Sequence, residues 1–207
     1  MLVMLPVIPV IPALLYVLRY RHNNNPPTYD VISPCVTLSI CYTIVSSYGV
    51  GSMTVVLCCG LVMDAIADLL MHNYPLRTCL LIFSFGHLVK QLVATMTMEP
   101  SINYDFVVGL YFLNMALILS LTLAGPNSKQ SLVIGCYSGI ILGTLVSLSV
   151  AKQTIDLGYI CYAISDLIIG YELTFHNIHP RYLRVLGVPM LYWLSQYLTA
   201  RHLLLKQ

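Results

Sequence analysis

Asp64 and Asp68 stand four residues apart in an otherwise apolar stretch, and Asp166 sits in a second stretch of the same kind. Residues four apart on a helix share a face. Two carboxyls brought together in a low-dielectric setting cannot both ionise easily, so one can serve as general acid and the other as base. Asp68 and Asp166 are the candidate pair, either as a catalytic site or as a polar clamp bonded to Ser165, Lys90 or backbone. His87 and Lys90 are three apart, with Gln91 beside them. Lys90 reads as charge compensation for Asp64 or Asp68, or as a phosphate ligand. Asn114, Glu172 and Gln196 complete the polar residues of the apolar stretches. His176 and His179, with Arg181 and Arg184, fit a lipid-headgroup contact or ordinary interfacial charge better than a metal site. No G-x-S-x-G elbow, phosphate loop or HExxH occurs, so serine-lipase and zinc-protease mechanisms have no support, and no metal or cofactor is expected.

The elements that must position these residues follow from composition. Of 207 residues, 58% are hydrophobic and 9% charged, and mean hydropathy is +0.81. A soluble domain carries about a quarter charged residues. A water-soluble enzyme and a disordered chain are thereby excluded, and a net charge of +2 offers no basic stripe for nucleic acid. The expected fold class is all-α, a polytopic membrane bundle of about eight transmembrane helices forming a single domain over residues 1–207. At about 20 residues per span, eight helices take about 160 residues and leave about 47 for loops and tails. The expected spans are Leu2–Leu18, Ser33–Tyr48, Met53–Met71, Leu76–Met96, Tyr104–Leu123, Leu132–Ala151, Ile155–Phe175 and a last one from about Tyr182 to about Leu203. The first carries Pro6, Pro9 and Pro12, each of which removes a backbone donor. It lacks the basic start and cleavage site of a signal peptide and is expected to be retained. Gly135, Gly139 and Gly143 form a small-residue stripe suited to close packing in lipid. The seven cysteines, odd in number and without a CxxC pair, read as small buried hydrophobes. Arg19, Arg21, Arg77, Lys129, Arg181 and Arg184 fall on one side, and Lys152, Arg201 and Lys206 on the other. That bias places both termini on the non-cytoplasmic side of a multi-pass protein.

Ala65-Ile66-Ala67-Asp68-Leu69-Leu70 and Ala163-Ile164-Ser165-Asp166-Leu167-Ile168 differ only by Ala/Ser and Leu/Ile. Four spans separate them, so both helices point the same way. A 4+4 parallel internal repeat about an axis along the membrane normal gives this pattern and sets the two Asps at one depth.

Four short stretches resemble the lysoplasmalogenase (YhhN-like) family of integral membrane proteins. They are Gly60 through Leu70, Gly86-His87, Ala163-Ile164-Ser165-Asp166, and Tyr192-Trp193-Leu194-Ser195-Gln196, in the family's order. The sequence departs from the family's pattern where Ala67 stands for a usual Gly, Asp64 for a small polar residue and Lys90 for an aromatic. The resemblance implies hydrolysis of the vinyl-ether bond of a lysophospholipid substrate, a lysoplasmalogen, to a fatty aldehyde and a glycerophospho-ethanolamine or -choline. Such a reaction begins with protonation at carbon and passes through an oxocarbenium-like cation, so it needs an acid, a stabilising anion and a base for water. Glycosidases meet a similar demand with two carboxyls. Asp68 and Asp166 then take the catalytic roles with either as the acid, and His87 orients water or shuttles protons. Asp64, Lys90, Ser165, Tyr192 and Gln196 form the substrate-contacting set, with Tyr192 and Gln196 at the glycerol end. Two further readings fit the same residues, a small proton-coupled transporter and a non-catalytic member that binds membrane lipid or a partner.

Overall fold

Proline, glycine and one aspartate punctuate the chain. The computed structural model describes residues 9, 13–15, 29–71, 74–98, 103–123, 130–175 and 187–204. Among them lie no strand and seven helices with described bounds, α1 (Tyr29–Tyr48), α2 (Ser52–Leu70), α3 (Leu76–Met96), α4 (Tyr104–Leu123), α5 (Gln130–Lys152), α6 (Leu157–Phe175) and α7 (Val188–Leu204), and residues 9 and 13–15 are helical as well. Gly49, at φ 78°, turns the chain out of α1. Pro75, with its fixed φ and missing donor, stands just before α3. Asp156 caps α6 by accepting the Tyr159 N–H at 3.0 Å. Pro189 occupies the first turn of α7, where a missing N–H costs nothing.

The spans expected from Ser33 to Phe175 correspond to α1 through α6. The differences fall at the ends. α1 starts four residues before Ser33 and holds Pro34 inside it, whereas proline chemistry alone suggests a first-turn position. α6 starts at Leu157 rather than Ile155 because Asp156 is its cap. The first expected span, apart from residues 9 and 13–15, lies outside the described residues. So do the start of the last span and the loop with His176, His179, Arg181 and Arg184.

Neighbours in sequence pack as hairpins: α1 on α2, α2 on α3, α4 on α5, α6 on α7. α3 also packs on α5, α5 on α6, and α7 on α1, which closes a ring. α4 lies outside that ring against α3 and α5, burying Val107, Asn114, Ile118 and Leu121 along one stripe. Its other faces show Phe112, Leu119 and Leu123, exposed by 67%, 57% and 74%.

The interior reverses the order of a soluble protein. Asp64, His87, Lys90, Gln91 and Asn114 are all buried, while large apolar side chains cover the outside. In water that arrangement would cost desolvation inside and gain nothing outside. In a bilayer the outward surface meets hydrocarbon and the polar groups satisfy one another within. α2, α3, α4 and Leu132–Lys152 of α5 are each long and apolar enough to cross a membrane, and Ile32–Tyr48 and Leu157–Ile169 are shorter apolar stretches.

Small residues set the closest helix approaches. Of the expected stripe, a side chain at Gly139 would press on Leu117 of α4 at 2.9 Å, and Gly143 abuts Asn114, but Gly135 faces open space. The tightest contact lies elsewhere. A Cβ on Gly158 would stand 2.5 Å from the Thr199 backbone nitrogen, so α6 and α7 touch nearly backbone to backbone. Gly158 lies outside that stripe, on the next helix, and has no small neighbour four residues on, so pattern alone did not expose it.

Candidate functional site

α2 and α3 cross where Gly60 meets Gly86. A Cβ on Gly86 would lie 3.1 Å from the Gly60 carbonyl and against the Asp64 carboxyl. This close crossing brings Lys90, one turn beyond Gly86, onto Asp64. Their side chains form an ion pair through Asp64 Oδ2, with both groups sealed from the surface. Gln196 of α7 donates to the same oxygen at 3.3 Å. The Lys90 ammonium also stands 5.2 Å from the centroid of the Tyr162 ring, within cation–π range. Asp64 Oδ1 and Gln196 Oε1 meet no hydrogen-bond partner among the described residues.

His87, one turn before Lys90 along α3, is completely buried among tyrosines. Its Nδ1 lies 2.6 Å from Tyr159 Oη and its Nε2 lies 3.2 Å from Tyr137 Oη. Tyr137 in turn donates to Asp166 Oδ2 at 2.9 Å and lies 3.4 Å from Tyr162 Oη. A hydroxyl owns one hydrogen. With that hydrogen on Asp166, Tyr137 must accept from His87 Nε2–H, and His87 Nδ1 must then accept from Tyr159. An uncharged ring satisfies every group in this chain. Ser165 adds a long contact of 3.4 Å to the other oxygen, Asp166 Oδ1.

Asp68 takes a hydrogen bond from Ser33 of α1 at 2.9 Å on Oδ2, and Trp193 Nε1 donates to that serine at 3.3 Å. Tyr192 lies beside the Asp68 carboxyl, though its buried hydroxyl makes no bond at hydrogen-bonding geometry. Phe83 links the two carboxyls' surroundings. Its ring centroid is 6.5 Å from that of Tyr137, the donor to Asp166, and 6.3 Å from that of Tyr192. Tyr162 and Tyr192 pack edge to face at 5.5 Å. Asp68 and Asp166 are within electrostatic reach of each other across this aromatic patch. Both are partly exposed. Neither has an ion-pair partner among the described residues.

Two further polar groups lie apart from these. Gln91, Asn114, Thr144 and Ser147 join α3, α4 and α5 through bonds of 2.6 to 3.1 Å. They are mutually satisfied except for Asn114 Oδ1. At the start of α6, Asp156 accepts from Tyr159 N–H and, at 3.4 Å, from Thr199 Oγ1. It lies in a turn outside the spanning helices. Burial pushes its carboxyl above the ordinary range, while the Tyr159 N–H and the nearby His202 pull the other way.

The expected site residues therefore divide. Asp68, Asp166, Ser165 and Tyr192 surround one aromatic-lined region. Asp64, Lys90 and Gln196 form a sealed cluster one helical turn away. His87 touches neither carboxyl directly and reaches Asp166 through Tyr137. Glu172 has no described side chain. No group of three His, Cys, Asp or Glu able to hold a metal occurs among the described residues. Sequence reasoning passed over Ser33, Phe83, Tyr137, Tyr159 and Tyr162. Part of that signal was present, since Tyr159, Tyr162 and Asp166 fall at i, i+3 and i+7 on one helix face. Ser33 and Tyr137 belong to other helices, and only the tertiary packing selects them. Comparison of the chain with family models, with characterised proteins and with solved structures finds no match.

Proposed function

We propose that the chain is a membrane-embedded hydrolase of the lysoplasmalogenase type, which cleaves the vinyl-ether bond of lysoplasmalogens with Asp68 and Asp166. The reading is carried by a contrast among the carboxyls of the bundle. Asp64 is neutralised by Lys90 and sealed. Asp68 and Asp166 have no ion-pair partner among the described residues, keep partial exposure and flank one aromatic patch. Uncompensated carboxyls at membrane depth are costly and are retained where they do work. Exposed Ile66, Leu69, Ile164 and Leu167 border them on the lipid side, which suits a substrate arriving sideways from the bilayer.

One carboxyl, protonated, gives its proton to the vinyl carbon distal to the ether oxygen. The C=C electron pair forms the new C–H bond, and the cation left on the other carbon is shared with the ether oxygen. The second carboxylate faces that cation and removes a proton from water as water adds to it. The hemiacetal hydroxyl returns its proton to the carboxylate left by the first step, and the bond to the glycerol oxygen breaks as that oxygen takes the proton the second carboxyl drew from water, which restores both carboxyls. This gives the fatty aldehyde and a free glycerophospho-ethanolamine or -choline. One water is consumed and nothing is oxidised or reduced. Electron-rich faces of Tyr162, Tyr192 and Phe83 favour the cation as well. In this reading Ser165 steadies Asp166, and Tyr192 stands by to bond the substrate near Asp68. Asp64, Lys90 and Gln196 brace the floor of the site. His87 acts through tyrosine hydroxyls.

The architecture proposed with this function is an eight-span bundle in two parallel repeats, with both termini on the non-cytoplasmic side. It is supported by the residues one turn before each Asp, Asp64 and Tyr162, which both meet Lys90. The test is aldehyde release from lysoplasmalogen by the detergent-purified chain, with Asp68→Asn and Asp166→Asn. Both substitutions are expected to abolish turnover while the protein stays folded. A folded wild type that releases no aldehyde contradicts the enzyme and leaves the carrier or lipid-binding readings.

A further inference from the structure

We infer that Tyr137 is the positioning residue of Asp166, aimed by a one-way hydrogen-bond chain that runs Tyr159 to His87 to Tyr137. The inference rests on the hydrolase reading for its catalytic meaning, but the chain itself has a separate signature. Three distances define it: 2.6 Å from Tyr159 Oη to His87 Nδ1, 3.2 Å from His87 Nε2 to Tyr137 Oη, and 2.9 Å from Tyr137 Oη to Asp166 Oδ2. Each link fixes the next. Asp166 can only accept from Tyr137 when Tyr137 spends its single hydrogen there, and Tyr137 is then free only to accept from His87. His87 is thereby held with hydrogen on Nε2, and Tyr159 must fill Nδ1. Tyr162 Oη, 3.4 Å away, can only reinforce the same direction.

The consequence is a difference between the two carboxyls. Asp166 receives donors on both oxygens, Tyr137 on Oδ2 and Ser165 on Oδ1. Asp68 receives Ser33 on Oδ2 alone at hydrogen-bonding geometry among the described residues. Donors to both oxygens favour a carboxylate and fix its plane. This arrangement makes Asp166 the anion and base, and Asp68 the proton donor. His87, walled in by tyrosines, touches no substrate. It selects which way Tyr137 points.

The test uses the full-length protein in detergent and two readouts. The carboxyl stretching band of Asp166 is isolated in the infrared by subtracting the spectrum of Asp166→Asn. Tyr137→Phe removes the donor, so the band is expected to shift to the position of a carboxyl with one fewer hydrogen bond. An unmoved band overturns the inference whether or not the chain is a hydrolase. For aldehyde release, Tyr137→Phe is expected to lower kcat about 10- to 100-fold with KM changed by less than about three-fold, as for loss of one hydrogen bond to a charged group. His87→Gln and His87→Asn then test direction. The Gln amide nitrogen replaces Nε2 and can still donate to Tyr137, whereas the Asn nitrogen replaces Nδ1 and cannot. His87→Gln is expected to retain at least about 10-fold more turnover than His87→Asn. Equal losses, or the reverse order, overturn the chain. A wild type without activity refutes the hydrolase reading alone, and the band still decides the positioning role.

Discussion

Replacing Lys90 by Met should destabilise the bundle far more than replacing Lys90 and Asp64 together. Lys90 is 2% exposed and Asp64 is fully buried. Among the described residues, Lys90→Met leaves Asp64 with the Gln196 amide alone, at 3.3 Å, as partner. Breaking a buried ion pair from one side costs about 3–5 kcal/mol, because the remaining charge is uncompensated. At about 2–4 °C per kcal/mol for a chain of this size, that is a loss of about 6–20 °C in Tm. Asp64→Asn with Lys90→Met removes both charges, and the Asn oxygen can keep the Gln196 bond. Uncharged replacements of buried pairs are often neutral within about 1 kcal/mol or better, so the double variant should recover most of the loss. The assay is thermal unfolding in one detergent of wild type, both single variants and the double. A neutral Lys90→Met, or a double variant whose loss is the sum of two large single losses, would refute the argument that the pair is sealed and mutually neutralising. The double variant should also keep aldehyde release within about 10-fold of wild type, since neither residue reaches the proposed reacting atoms.

Other perturbations follow from the same geometry. Gly158→Ala puts a methyl 2.5 Å from the Thr199 backbone nitrogen, and should cost about 1–3 kcal/mol by thermal unfolding. Gly135→Ala, which meets nothing within 4 Å, should be stabilising by about 0.5–1 kcal/mol; a neutral or stabilising Gly158→Ala would mean that α6 and α7 are not packed as described. Ser33→Ala removes the donor to Asp68 and should lower turnover about 10-fold without unfolding the protein, as read by initial rates at saturating substrate. Burial raises the Asp156 carboxyl above its ordinary value, so the folded chain holds that proton more tightly than the unfolded chain. This contribution to stability is fully present below about pH 4 and is lost as pH rises through the raised value. Asp156→Asn keeps the oxygen that caps α6 and should flatten the fall in Tm as pH rises above about 4; an unchanged slope would place the pH dependence elsewhere.

The spans from Ser33 to Phe175 were legible because a bilayer imposes long apolar segments and the chain breaks them with Pro75, Gly49 and Gly51. Asp68 and Asp166 were legible because charge is scarce here and each lies in the same hexapeptide. Lys90 was legible as a charge needing a partner, but its choice of Asp64 over Asp68 depends on the Gly60–Gly86 crossing, which no one-dimensional pattern contains. The tyrosines were hidden for a different reason. With 15 in the chain, tyrosine is too common in membrane segments for its position to single it out, and only hydroxyls from two helices that interlock around His87 of a third separate Tyr137, Tyr159 and Tyr162 from the rest. Ser33 sat at the edge of an expected span and so looked like a helix start, whereas α1 continues a turn beyond it and carries the serine inward.

The most direct measurement is the product formed from a lysoplasmalogen in D2O. Protonation at carbon by a carboxyl that exchanges with solvent must place one deuterium on the aldehyde carbon next to the carbonyl, read by mass spectrometry after the aldehyde is trapped. Wild type is predicted to give singly deuterated aldehyde, and Asp68→Asn and Asp166→Asn none at a measurable rate. Aldehyde without that deuterium, aldehyde from both Asn variants at the wild-type rate, or no aldehyde from a folded wild type would contradict the account.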